Sequence, residues 1–125
     1  MTEIQTLSAL GIGLFIDGYT EAALWSETGD DGRSLGETYT KANHLHPETV
    51  ARFAEDCTRF VSANAALISG REEESGVDFW LTRNGHGSGF WDGAWGENGD
   101  ALTESSHTFG KAELYVGDDG KVYQY

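Results

Sequence analysis

Between Pro47 and Gly70, apolar side chains return every three or four positions, at Val50, Phe53, Ala54, Cys57, Phe60, Val61, Ala65 and Ile68, with Asn64 on the same stripe. That period lines side chains up on one helical face, and proline suits a first helical turn, so an amphipathic helix is predicted from Pro47 to near Gly70. Glu48 then faces the positive end of the helix dipole, and Arg52 and Arg59 alternate with Glu55 and Asp56 on the wet side. An earlier helix is predicted from about Thr6 to Trp25. Leu10, Leu14, Gly18 and Ala22 fall on one row, and Phe15, Tyr19, Ala22 and Ala23 form an overlapping stripe. Gly11, Gly13 and Gly18 weaken its start. Thr28 to Leu45 carries no apolar period and reads as a long surface loop.

After the charged turn expected at Arg71 and Glu72 to Glu74, the period changes to two. Val77, Phe79 and Leu81 alternate with Asp78, Trp80 and Thr82, and Asn84-Gly85 is a dipeptide suited to a tight hairpin turn. A strand, a turn and a return strand through Phe90 and Trp91 are predicted. A short helix follows between Gly99 and Phe109, with Leu102, Ser106 and Phe109 on one face. Leu114 to Val116 and Val122 to Gln124 flank the turn-forming Gly117-Asp118-Asp119-Gly120 as a second hairpin. The expected fold class is α+β: two main helices plus a short helix, packed on a small antiparallel sheet of two hairpins.

Composition adds a strong charge. The 125 residues include 21 acidic and 8 basic side chains, a net charge of −13, and 38% of them are apolar. The length and apolar content suit a single domain over residues 1–125, with its own core. The charge argues against direct binding to nucleic acid or to an anionic membrane, and favours basic partners. A lone cysteine, Cys57, cannot form an internal disulfide and sits on the apolar stripe of the long helix as a core thiol, which fits a reducing cytoplasm. The longest apolar stretch, Leu7 to Ile16, is too short to cross a bilayer.

Candidate chemistry concentrates between Arg83 and Gly96, where five glycines, three large aromatics, one histidine and one arginine fall within 14 residues. Glycines let a ligand approach the backbone and rings offer flat faces, so Arg83, Asn84, His86, Ser88, Trp91, Asp92 and Trp95 form the candidate binding site. The same composition also suits a hairpin whose rings fold back into the core. His86 could serve as a general base with Asp78 or Asp92 orienting it, although Ser88 lacks the context of a nucleophile. His44 and His46 share a face of an extended chain and could grip a metal, yet the sequence assembles no third ligand. The turns Asp30-Asp31-Gly32 and Asp118-Asp119-Gly120 lack the alternating carboxylates of a calcium loop. No metal or cofactor is therefore assigned. The acidic residues cluster at Glu27-Asp30-Asp31, at Glu72-Glu73-Glu74-Asp78 and at Asp92-Glu97-Asp100-Glu104, which suits imitation of nucleic-acid phosphates as well as plain solubility.

The block from Asp78 to Asp92, with Leu102-Thr103, Phe109-Gly110 and the run from Leu114 to Tyr123 after it, resembles a family of small acidic proteins encoded in tailed-phage genomes and prophages; Ala22-Ala23-Leu24-Trp25 is also similar. The resemblance implies a phage origin and a setting in the host bacterial cytoplasm, and brings no activity, ligand or catalytic residue with it. The leading expectation is a non-enzymatic accessory protein that binds a host protein with a basic surface, such as a defence or nucleic-acid-processing protein, through acidic and aromatic surfaces. Two alternatives are a binder of small ligands or nucleotide signals using residues 83–96, and a small hydrolase centred on His86. Oligomeric state is set by none of these features.

Overall fold

The fold was obtained as a computed structural model that describes residues 9–125. Four α-helices and one antiparallel hairpin are found among them: α1 (Ala9–Ser26), α2 (Pro47–Ile68), α3 (Glu72–Arg83), α4 (Gly99–His107), β1 (Leu114–Val116) and β2 (Val122–Gln124). The α+β class holds. The start predicted for α1 at Thr6 to Ser8 lies outside the described residues, as do the side chains of Ala9 and Leu10.

Helix α2 follows its apolar stripe. Phe53, Cys57, Phe60, Val61, Ala65 and Ile68 are buried, whereas Val50 is exposed. Pro47 occupies the first helical turn, and the Nδ1 atom of His46 accepts the Glu48 backbone N–H as the N-cap. The helix kinks at Asn64, whose backbone leaves the helical region while its Nδ2 donates to the Phe60 carbonyl and to the Ser105 hydroxyl of α4.

One expectation is overturned. The hairpin predicted from Val77 to Trp91 does not form, and its first strand is helix α3, so three main helices and one hairpin replace two and two. The buried set on this segment is Ser75, Gly76, Phe79, Trp80, Thr82 and Arg83, a three-and-four repeat that a count of large apolar residues passes over. Glu72, Glu73 and Glu74, expected to form a turn, occupy the first helical turn, where their charge complements the dipole. Asn84-Gly85 stops the helix instead of turning a hairpin: Asn84 is its C-cap, and Gly85 follows at φ +73°. The Gly85 N–H donates to the Thr82 carbonyl and the His86 N–H to the Leu81 carbonyl, the paired bonds of a Schellman motif. Both motifs need a residue of positive φ, which explains the shared dipeptide.

Helix α1 packs most extensively against α3. Gly18 of α1 faces the Glu73 carbonyl and Gly76 of α3 faces the Phe15 carbonyl, each so closely that a Cβ would collide with the backbone opposite. The two helices therefore touch backbone to backbone. Around this contact Phe15, Tyr19, Phe53, Phe60, Phe79, Trp80 and Phe90 form a fully buried aromatic core. Phe60 and Phe79 stack with centroids 4.2 Å apart, and Tyr19 meets Trp80 edge-on at 5.3 Å. Such pairs each contribute about 0.5–1.5 kcal/mol beyond area burial.

The terminal hairpin forms as predicted, pairing Leu114 with Gln124, Tyr115 with Tyr123 and Val116 with Val122. The long segment after α1 is anchored at both ends. Thr28 pairs with Ser34, Leu35 is buried in a 3-10 turn, and Leu45 makes a parallel bridge to Val122. No described helix is long and apolar enough to cross a membrane.

Candidate functional site

Four of the seven sequence-predicted residues, Arg83, Asn84, Asp92 and Trp95, are tied into the fold by side-chain hydrogen bonds. Arg83, at the C-terminal end of α3, is only 5% exposed. Its Nε donates to the Gly110 carbonyl, Nη2 to the Phe109 carbonyl, and Nη1 to both the Tyr19 hydroxyl and the Asp56 carboxylate. It joins α1, α2, α3 and the turn after α4. Burial pushes the Tyr19 hydroxyl pKa up, against the pull of Arg83.

Asn84 is also occupied, donating to the Trp80 carbonyl and accepting the Ala112 N–H. Asp92 accepts N–H bonds from Gly89 and Ala94, closing the glycine-rich turn on itself. Trp95 is buried, donates to Asp78 at 2.7 Å and carries the Arg71 guanidinium 3.7 Å above its ring. Burial raises the Asp78 pKa, with repulsion from Asp92 and Glu74 adding to it and the Trp95 N–H opposing it. Arg71 grips Glu74 through two hydrogen bonds, which hold the Glu74 carboxyl below its usual range. Phe90 also turns into the core, its N–H donating to Thr82.

Ser88 and Trp91 remain exposed. His86 is half-buried, and its Nε2 is shut away from solvent without a hydrogen-bond partner among the described residues. Two surface cavities among the described residues are lined by none of the seven. Phe90 and Trp95 of this segment pack into the core, while Trp91 stands at the surface.

His44 and His46 each use Nδ1 as an acceptor, His44 from the Thr40 N–H and His46 from the Glu48 N–H, and their rings pack on Tyr39 and Tyr123 respectively. No group of three or more His, Cys, Asp or Glu able to hold a metal occurs among the described residues. Cys57 lies sealed in the core, and burial raises its thiol pKa well above the ordinary value.

The larger cavity is a groove of about 550 Å³ between the segment after α1 and strand β1. One wall carries Thr28, Asp30, Asp31, Arg33, Ser34 and Tyr39; the other carries Leu114, Tyr115, Val116 and Tyr125. The Glu27 carboxylate accepts the Leu114 N–H, tying the start of the segment after α1 to β1. Burial raises the Glu27 pKa, while that hydrogen bond and nearby His86 oppose the rise. A smaller cleft of about 260 Å³ lies behind Tyr39, against the half-exposed Trp25.

An aromatic row leads into the groove. His46 stacks on Tyr123 at 4.5 Å, Tyr123 on Tyr115 at 5.3 Å, and Tyr115 meets Tyr125 at 4.7 Å. Strand alternation causes this, since Tyr115 and Tyr123 pair directly and Tyr125 is their diagonal neighbour on the same face. The Tyr123 hydroxyl donates to Asp119 at 2.6 Å, which pushes the tyrosine pKa up to about 12 and holds the Asp119 carboxyl below its usual range. This tyrosine face was the missed signal: the spacing of Tyr115, Tyr123 and Tyr125 is readable, whereas the shared groove of Tyr115 and Tyr125 with Asp30 and Asp31 needs the fold.

Compared with protein-family models, with curated proteins and with solved structures, the chain matches none.

Proposed function

We propose that this is a non-enzymatic, phage-encoded accessory protein of the host bacterial cytoplasm, which binds a host protein through a basic segment held in the groove between the Thr28–Tyr39 segment and β1. The observation that carries this reading is the juxtaposition in one groove of Asp30 and Asp31 with the rings of Tyr39, Tyr115 and Tyr125. Tyrosine faces attract guanidinium and ammonium groups and cover their alkyl stems, and carboxylates supply the counter-charge. The net charge of −13 steers such a partner from a distance. Proteins that handle nucleic acid carry basic surfaces of this kind, so inhibition of a host defence or nucleic-acid-processing protein is the activity the reading assigns. Engagement of Arg83 and Trp95 within the fold weighs against nucleotide recognition at residues 83–96.

The test is capture from a host lysate by the wild-type chain and by a variant combining Asp30→Asn, Asp31→Asn, Tyr115→Ser and Tyr125→Ser. A basic protein retained by wild type at low salt, released at high salt and lost by the variant is expected. Equal retention by both chains overturns the assignment to this groove.

A further inference from the structure

The groove wall formed by β1 is an unpaired strand edge. Gly117 donates to the Lys121 carbonyl at 2.8 Å and Tyr125 to the Glu113 carbonyl at 2.9 Å, so the hydrogen-bonded pairs of the hairpin fall at the odd positions of β1. Leu114 and Val116 consequently turn their N–H and C=O groups away from β2. The equivalent edge of β2 is largely occupied: Val122 donates to the His44 carbonyl and accepts from the His46 N–H, and the Gln124 carbonyl accepts from Arg52. On β1 the Glu27 carboxylate meets the Leu114 N–H at 3.4 Å, and among the described residues nothing meets the outward groups of Val116. That edge faces the groove. The opposite wall is itself a small ladder, Thr28 against Ser34, secured by the Gly29 N–H to the Arg33 carbonyl and the Leu35 N–H to the Glu27 carbonyl.

Resting on the reading of the groove as a site for a basic segment, we infer that the partner binds by strand addition: an extended segment pairs with β1 through Leu114 and Val116 and becomes the third strand of the sheet. Main-chain bonds to an exposed edge supply affinity, and alternate side chains supply specificity. One set of side chains meets the Tyr115 and Tyr125 face; the other meets the floor at Leu35 and Val116. The occupant is therefore an extended sequence alternating lysine or arginine with aliphatic residues, its charge complementing Asp30 and Asp31 at the tip of the opposite ladder. Glu27 guards the edge in the free protein, holding the Leu114 N–H until a strand displaces it.

The experiment uses the full chain, a hexapeptide alternating lysine and valine, and the same hexapeptide N-methylated at every backbone nitrogen. N-methylation keeps the charge and side chains but prevents strand pairing. The unmodified peptide is expected to bind and to slow hydrogen exchange at the Val116 amide at least ten-fold, with the N-methylated peptide binding at least ten-fold more weakly. Equal binding of both peptides, or binding without protection of Val116, overturns strand addition while leaving the basic-segment reading in place. Binding by neither peptide at low salt overturns both.

Discussion

Arg83 and Asp56 form an ion pair at 2.8 Å in which the arginine side chain is almost wholly enclosed and the aspartate retains a solvent edge. The guanidinium is not spare charge, because its hydrogen bonds engage one carboxylate, one hydroxyl and two carbonyls inside the fold. Replacing Arg83 with Met leaves these four without their donor, and a loss of about 3–5 kcal/mol is expected. Arg83→Lys keeps the charge but not the planar fork, so its denaturant midpoint should fall between those of wild type and Arg83→Met. A wild-type midpoint for Arg83→Met would remove the residue from its structural role.

The glycine contact between α1 and α3 makes a second prediction. Gly76→Ala improves helix propensity yet places a methyl against the Phe15 carbonyl, forcing the helices apart. Overpacking of this kind costs about 1–3 kcal/mol, more than the roughly 1 kcal/mol that alanine gains in propensity. Gly18→Ala should behave alike, whereas Gly13→Ala, where a Cβ meets nothing, should stabilise. Thermal midpoints of the three variants measure the difference.

His46 caps α2 and begins the aromatic row, two duties that substitutions separate. His46→Ala removes the acceptor for the Glu48 N–H and should cost about 1 kcal/mol. His46→Asn restores a capping oxygen but not the ring stacked on Tyr123, so stability should largely return while the tyrosine row loses its end member. Urea denaturation checks the cap; the environment of Tyr123 by NMR checks the stack.

Acid should first stabilise the protein. Burial raises the folded-state pKa of Glu27 and of Asp78 above the ordinary carboxylate range, so between the ordinary and raised values the folded chain holds protons that the unfolded chain has released. Stability therefore rises as pH falls from neutral through that range, and reduced self-repulsion of a chain carrying −13 adds in the same direction. Glu74 and Asp119 act oppositely: held below their usual range, they contribute stability that disappears as pH falls below that range. A maximum in Tm on the acid side of neutrality is expected. Glu27→Gln and Asp78→Asn should each raise Tm at neutral pH and flatten the rise on the acid side; an unchanged slope in both would detach these groups from the pH response.

Local pattern carried much of the fold. The stripe through Phe53, Cys57, Phe60 and Ile68 with Pro47 ahead of it announces α2, and turn chemistry between two short alternating runs announces the terminal hairpin. Helix α3 was hidden because two of its buried positions are Gly76, selected by a neighbouring backbone, and Arg83, tolerated inside only through Asp56 and Tyr19. Without those partners, the large side chains alternate as convincingly as in a strand. The glycine and aromatic block was legible as unusual, but Phe90 and Trp95 are engaged by Thr82, Asp78 and Arg71 in packing the core, while Trp91 stays exposed.

By itself the sequence determined the acidic charge, the long amphipathic helix, the terminal hairpin and the common face of Tyr115, Tyr123 and Tyr125, since each depends on composition or on spacing within one short segment. Tertiary structure decided that residues 72–83 are helical, that Arg83 and Trp95 are interior, and that a groove opens beside β1. The physical reason is distance along the chain: Glu27 and Leu114 hydrogen-bond from positions 87 residues apart, and only folding brings them together.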